Sequence, residues 1–169
     1  MRNRFSLLMV LVVLCLTGSL LGADSDMVLA KAATSKFSAL PGLPACMTVA
    51  VQRGDPTKES AALLLKFTAR CTVPWHWHTA AEQLLLVSGK GTAQMKDGKP
   101  AAMSSGDYAF LPSKMVHQFT AVTPVLMLDI PDAAFDIHYV DKAGTEIPPD
   151  QVLKAGAKKA AAAKPDKKQ

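Results

Sequence analysis

The sequence predicts an all-β fold, a barrel or sandwich of short antiparallel strands. Short apolar runs recur along the chain at regular spacing. Gly, Pro or Asp-Gly separates them, and before the last twenty or so residues no amphipathic pattern outlasts about two helical turns. Met47 to Arg53 alternates loosely and ends at Gly54-Asp55-Pro56, a turn signal. Ala62 to Ala69 is a second apolar run, and the two make a hairpin with its loop at Asp55 to Ser60. Trp75 to His78 is short and aromatic. Gln83 to Val87 is nearly continuous apolar sequence closed by Ser88-Gly89. Gly91 to Lys96 alternates, with Ala93 and Met95 on one face and Thr92, Gln94 and Lys96 on the other. Asp97-Gly98 then supplies a two-residue hairpin turn, both positions favouring positive φ, and Lys99 to Met103 returns. Asp107 to Leu111, Val116 to Ala121, Pro124 to Ile130 and Phe135 to Val140 complete the series.

Around this body, residues 1–23 read as a secretory signal peptide. Arg2 and Arg4 form a positive start, and Phe5 to Leu21 is apolar and uncharged, short for a membrane span. Small residues follow, with cleavage after Ala23 or as late as Ala30. Residues 24–45 read as an extended arm ending on Pro41, Gly42 and Pro44, residues 46–148 as one β domain, and 149–169 as a disordered Ala/Lys-rich tail or at most a frayed helix. The net charge of +5 belongs to the ends. Without the leader and everything after Leu153, 11 basic residues face 13 acidic ones, a net of −2. A nucleic-acid footprint on the body is therefore excluded as an expectation, and once the signal is cleaved so is a membrane span.

Export leads to an oxidising compartment, where disulfides persist. Cys46 and Cys71 are the cysteines left after the leader with its Cys15 is removed. If the first hairpin turns between Lys58 and Glu59, antiparallel pairing sets Cys46 opposite Cys71, within disulfide reach. The closed loop of about two dozen residues would stabilise the fold by about 3 kcal/mol.

Chemistry concentrates in two segments. In PWHWHTAAEQLLLVSGKG, His76 and His78 are two apart on a strand, so both imidazoles leave one face. Glu82 follows the Thr79-Ala80-Ala81 turn and can reach the same point. In GDYAFLPSKMVHQF, Gly106 and Pro112 punctuate a strand and a turn, and His117 opens the next strand. Three imidazoles and a carboxylate suit one divalent transition metal such as Mn, Fe, Co, Ni, Cu or Zn. They leave one or two coordination positions for a substrate oxygen, water or dioxygen. The competing reading is a pocket lined by these polar groups without metal.

These segments resemble the two cupin motifs. His76, His78, Glu82 and Gly89 match the first at the family's spacings, with Arg70 where the opening glycine belongs. Gly106, Pro112 and His117 match the second, with Lys114 in place of a turn glycine and Ala121 in place of a final asparagine. The resemblance covers Cys46 to Val140. It implies a conical β-barrel (a jelly-roll, or double-stranded β-helix) with the four metal ligands inside its mouth, and self-association as a homodimer. It does not select a reaction, so the catalytic residues are unknown and three roles stay open. These are a metal-dependent dioxygenase or related oxidoreductase on a small organic molecule, a non-catalytic small-ligand or sensor module, and a structural partner in an envelope assembly. Beside the ligands, Trp75 and Trp77 read as packing residues and His138 as a surface or hydrogen-bonded histidine. Tyr108 and Gln118 read as structural residues or outer donors to the site. The dispersed methionines form no soft-ligand cluster of the kind copper storage needs.

Overall fold

The computed structural model describes residues 27–154. The expected signal peptide and the tail beyond residue 154 lie outside the described residues. The strands are β1 (Met47–Arg53), β2 (Ala62–Phe67), β3 (Thr72–Trp77), β4 (Glu82–Ser88) and β5 (Lys90–Met95), followed by β6 (Ala101–Ser104), β7 (Tyr108–Leu111), β8 (His117–Ala121), β9 (Val125–Pro131) and β10 (His138–Tyr139). They form two antiparallel five-stranded sheets, ordered β1-β2-β9-β4-β7 and β10-β3-β8-β5-β6, wrapped into the expected barrel-like sandwich.

Alternation builds the core. Along β9 buried and half-buried residues strictly alternate, which sends Val125 and Met127 inward beside Leu63, Leu65 and Phe67 of β2 and Leu84 and Leu86 of β4. From the other sheet come Val73, Met103, Phe119 and Ala121, with the Phe67 and Phe119 rings 5.3 Å apart. Each large side chain so buried contributes about 1.5–3 kcal/mol. Between β4 and β5 the chain turns at Gly89, with φ +97° and space for no side chain, since a Cβ there would lie 2.2 Å from the Pro124 carbonyl oxygen.

Two hairpins differ from the sequence expectation. β1 pairs with β2 in a register that sets Met47 against Phe67, so Cys46 lies opposite Thr68, whose N–H donates to its carbonyl. Cys71 lies three residues further on. A tight turn reverses the chain after Thr68, with Cys71 N–H on the Thr68 carbonyl and Arg70 at φ +64°. Cys71 then joins the second sheet through Ala121. The disulfide forms nonetheless, with Sγ atoms 2.09 Å and Cα atoms 5.5 Å apart. It ties one sheet to the other rather than two strands of one hairpin. The second difference is at Asp97-Gly98. The β5–β6 ladder ends at Ala93 opposite Ala101, leaving a connection longer than a two-residue turn. Pro100 has no N–H to give the ladder, and Met95 and Gln94 pair with β8 instead.

The flanks are bound to the barrel where they are described. In the arm, a 3-10 turn at Ala32–Thr34 precedes a bridge in which Ser38 and Val49 exchange both backbone hydrogen bonds. Leu43 packs on the core and Gly42 accepts from the Tyr139 hydroxyl at 2.9 Å. Residues 149–154, counted above with the tail, are helical, and Val152 and Leu153 pack against the core. Among the described residues no helix is long and apolar enough to cross a membrane.

Candidate metal centre

Both halves of the site arise from strand ends. His76 lies near the end of β3 and His117 opens β8, and the two are direct partners across the ladder. Their rings therefore lie side by side, tilted 56° to each other with centroids 4.2 Å apart. His78 follows two residues after His76 on the same face, 4.8 Å from it between centroids. All three are at most 5% exposed, and their ligating atoms lie within 4.8 Å of one another. From the opposite sheet, Glu82 at the start of β4 places Oε2 3.3 Å from His78 Nε2 and 3.8 Å from His117 Nε2. Donors about 2.0–2.2 Å from one cation are separated by at most ~4.4 Å; both Glu82 contacts fall inside that limit, and the histidine atoms, within 4.8 Å of one another, need draw together only slightly to share an ion. The compact group is the three histidines; Glu82 approaches two of them.

Every imidazole has its orientation fixed in the same way. Nδ1 of His76 meets the Pro74 carbonyl at 2.6 Å, Nδ1 of His117 meets the Met115 carbonyl at 2.9 Å, and Nδ1 of His78 meets the Asp136 carbonyl. A carbonyl oxygen can only accept, so in each ring Nδ1 carries the hydrogen. In the neutral ring Nε2 then offers a free lone pair. Burial holds the rings neutral. It lowers His76 well below the usual histidine value, with the neighbouring His117 and His78 adding to the effect. It also lowers His78 to about 4 and depresses His117. Burial acts oppositely on the acid, raising Glu82 well above the usual carboxyl range, with Asp129 reinforcing the shift. Neutral imidazoles with their lone pairs inward are what a cation needs.

The loops lock this arrangement. The Pro112 to Met115 turn is closed by Met115 N–H on the Pro112 carbonyl, and it docks on the first motif. Lys114 N–H donates to the His78 carbonyl at 2.8 Å and Ser113 Oγ to the Thr79 carbonyl at 2.6 Å. Two aspartates after β9 grip the same segment. Asp132 Oδ1 accepts from Ala81 N–H at 2.9 Å and Asp136 Oδ1 from Thr79 N–H at 2.8 Å. The sequence reading missed both, because their partners are backbone groups fifty residues or more away in the chain. Lys114, standing where the resemblance places glycine, has φ +61°. A left-handed backbone costs an L-residue about 1–2 kcal/mol, against glycine's extra chain freedom of about 0.5–1 kcal/mol. Lys114→Gly is therefore expected to stabilise the protein by about 0.5–1 kcal/mol, read by chemical denaturation. A destabilised variant would show that the lysine side chain contributes more than its backbone costs.

The remaining residues singled out from sequence fall outside the cluster. Trp77 stacks on His138 with centroids 3.9 Å apart, and His138 is held by Glu146 and Asp136 at 2.8 and 3.2 Å. Tyr108 is exposed and bonds Gln83. The Gln118 amide bonds Gln94. Inside the barrel, beside the histidines, a cavity of about 60 Å3 is lined mainly by apolar side chains such as Leu65, Phe67, Met95 and Phe135.

Residues 64–131 match the family described as cupin domain. Comparison with curated proteins finds no match. Among solved structures, the polyketide cyclase RemF from Streptomyces resistomycificus superposes with a TM-score of 0.61 at 13% identity, over 76% of this chain and 94% of that one. An RmlC-like cupin from Shewanella frigidimarina gives 0.54 at 15% identity, over 64% and 92%. The DMSP lyase DddQ from Ruegeria pomeroyi gives 0.52 at 20% identity, over 59% and 57%. At these identities the likeness is one of fold.

Proposed function

We propose that this chain, which carries a cupin domain, is an exported protein that holds one divalent transition metal through His76, His78, His117 and Glu82 and offers it to a small ligand. The observation that carries this reading is the set of three buried imidazoles whose Nδ1 atoms all donate to backbone carbonyls, directing three Nε2 lone pairs into one space. Such an ion would supply a Lewis-acid or redox centre with positions open to an incoming oxygen. The cavity beside the histidines is far below the roughly 300–1,000 Å3 of drug-sized sites, which favours a ligand of few heavy atoms over a sugar. Dioxygen or a small organic acid fits that description. A dioxygenase-like oxidoreductase and a non-catalytic small-ligand module both accept it. Two structural neighbours bear the names cyclase and lyase, so the shared fold does not choose between reactions. Export is supported by the disulfide between Cys46 and Cys71.

One preparation tests these points together. The full chain is expressed with its leader, recovered from the exported fraction and reconstituted with Mn, Fe, Co, Ni, Cu or Zn in turn. The mature chain is expected to begin after Ala23 or Ala30 and to bind close to one equivalent of at least one of these metals. Failure to retain any of the six would overturn the metal assignment, and an intact leader on cytosolic protein would overturn export.

A further inference from the structure

Asp129 is a buried acid that lines the same cavity as Glu82 and the three histidines. It occupies an inward position of β9, following Val125 and Met127 on that face, and is 1% exposed. The register pairs Glu82 with Pro131 and Leu84 with Asp129. Asp129 and Glu82 are therefore diagonal neighbours on one face of adjacent strands, within reach of each other. Burial raises both carboxyl groups above their ordinary values, and contact between them raises Glu82 further and offsets part of the rise in Asp129, while Asp129 Oδ1 has no partner among the described residues. A polar group in such a core costs several kcal/mol unless it is bonded. An apolar residue would continue the pattern of Val125 and Met127 without that cost. Glu82 thus sits between two sets of contacts. Its Oε2 faces His78 and His117, and its carboxyl group neighbours Asp129 across the strand pair.

We propose that Asp129 is a positioning residue for the metal centre, fixing the Glu82 carboxyl group so that Oε2 is presented to the imidazoles as the fourth ligand. The proposal rests on the metal-site reading above. Glutamate has three rotatable side-chain bonds, and unlike the histidines Glu82 has no backbone carbonyl to fix it. Contact with Asp129, its diagonal neighbour on β9, is what removes this freedom. Asparagine would keep that contact, because its amide N–H can donate to the Glu82 carboxylate. Leucine would fill the space and remove it.

Cobalt(II) titration of the metal-free wild type, Asp129→Asn and Asp129→Leu, with a competing chelator, gives affinities. The cobalt visible spectrum reports the number and geometry of ligands. Asp129→Leu is expected to bind cobalt at least about tenfold more weakly than wild type, as loss of an outer partner does, with an altered spectrum. Asp129→Asn is expected within about threefold of wild type and with its spectrum. In a Glu82→Ala background, Asp129→Leu is expected to change affinity by less than about threefold, since the group it positions is gone. Wild-type affinity and spectrum in Asp129→Leu would overturn the proposal. So would a loss of the same size with and without Glu82, which marks a general packing role. If the leucine variant does not fold, Asp129→Ala is read by the same criteria. A wild type that takes up no cobalt or other divalent metal defeats the metal-site reading itself, an outcome distinct from either of these.

Discussion

Alanine at His117, or at His78, is expected to strip the centre of its metal while leaving the barrel folded. Each histidine supplies one of three convergent Nε2 donors, and its removal leaves two imidazoles and Glu82. The affinity should fall on the order of a hundredfold or more, beyond the 10–100-fold that loss of an outer partner costs. Metal analysis after dialysis should then find only a small fraction of an equivalent. Truncation to alanine also removes two ring nitrogens from a buried site, one already bonded to a carbonyl, so a modest loss of stability accompanies it. His138→Ala is the contrasting variant. That ring stacks on Trp77 and bonds Glu146 and Asp136, away from the three-histidine group, and metal content should stay near one equivalent. Full occupancy in both His78→Ala and His117→Ala would refute the assignment.

The second large effect is on stability. Cys46 and Cys71 close a loop with a sequence separation of 25. On the chain-entropy account, removing such a cross-link costs about 3–4 kcal/mol, a large share of the roughly 5–15 kcal/mol that holds a domain folded. The Cys46→Ala, Cys71→Ala double variant should therefore unfold at markedly lower denaturant concentration. Its metal content under native conditions should stay near wild type, because neither cysteine is among the ligating groups. Alkylation of both cysteines in denatured, unreduced protein from the exported fraction would show that the bond does not form. An unchanged denaturation midpoint in the double variant would show that it forms without stabilising.

Much of the site is legible in sequence because it is encoded locally. His76 and His78 are two apart on a strand, and period-two geometry alone puts them on one face. The return of His117 to the same place depends on β3–β8 pairing, which no local pattern reveals; the family resemblance supplied it. The disulfide was anticipated through a register that the barrel does not use. The expected opposition of Cys46 and Cys71 failed by three residues, and the turn at Thr68 to Arg70, with a left-handed arginine, restored the contact by another route. Asp129 was hidden inside an apolar run where it reads as one polar interruption. Its meaning comes only from the diagonal neighbour on β4. A single acid at an inward position of an otherwise apolar strand is the signal that could have marked it.

The two links between the sheets lie at opposite ends of β3. Cys71 precedes the strand and His76 stands near its far end, roughly 17 Å away at the strand rise. At one end a covalent bridge joins the sheets. At the other, an ion held by histidines of one sheet and a glutamate of the other would join them again. With metal bound, the sandwich would be clamped twice, and the clamps would answer to different reagents, thiols at the base and chelators at the mouth. Under chelation the mouth should breathe while the base stays shut, with amide exchange quickening around Trp77 to Glu82 and remaining slow around Phe67 and Val125. A protein fastened in this way would loosen at one end without risking its fold at the other.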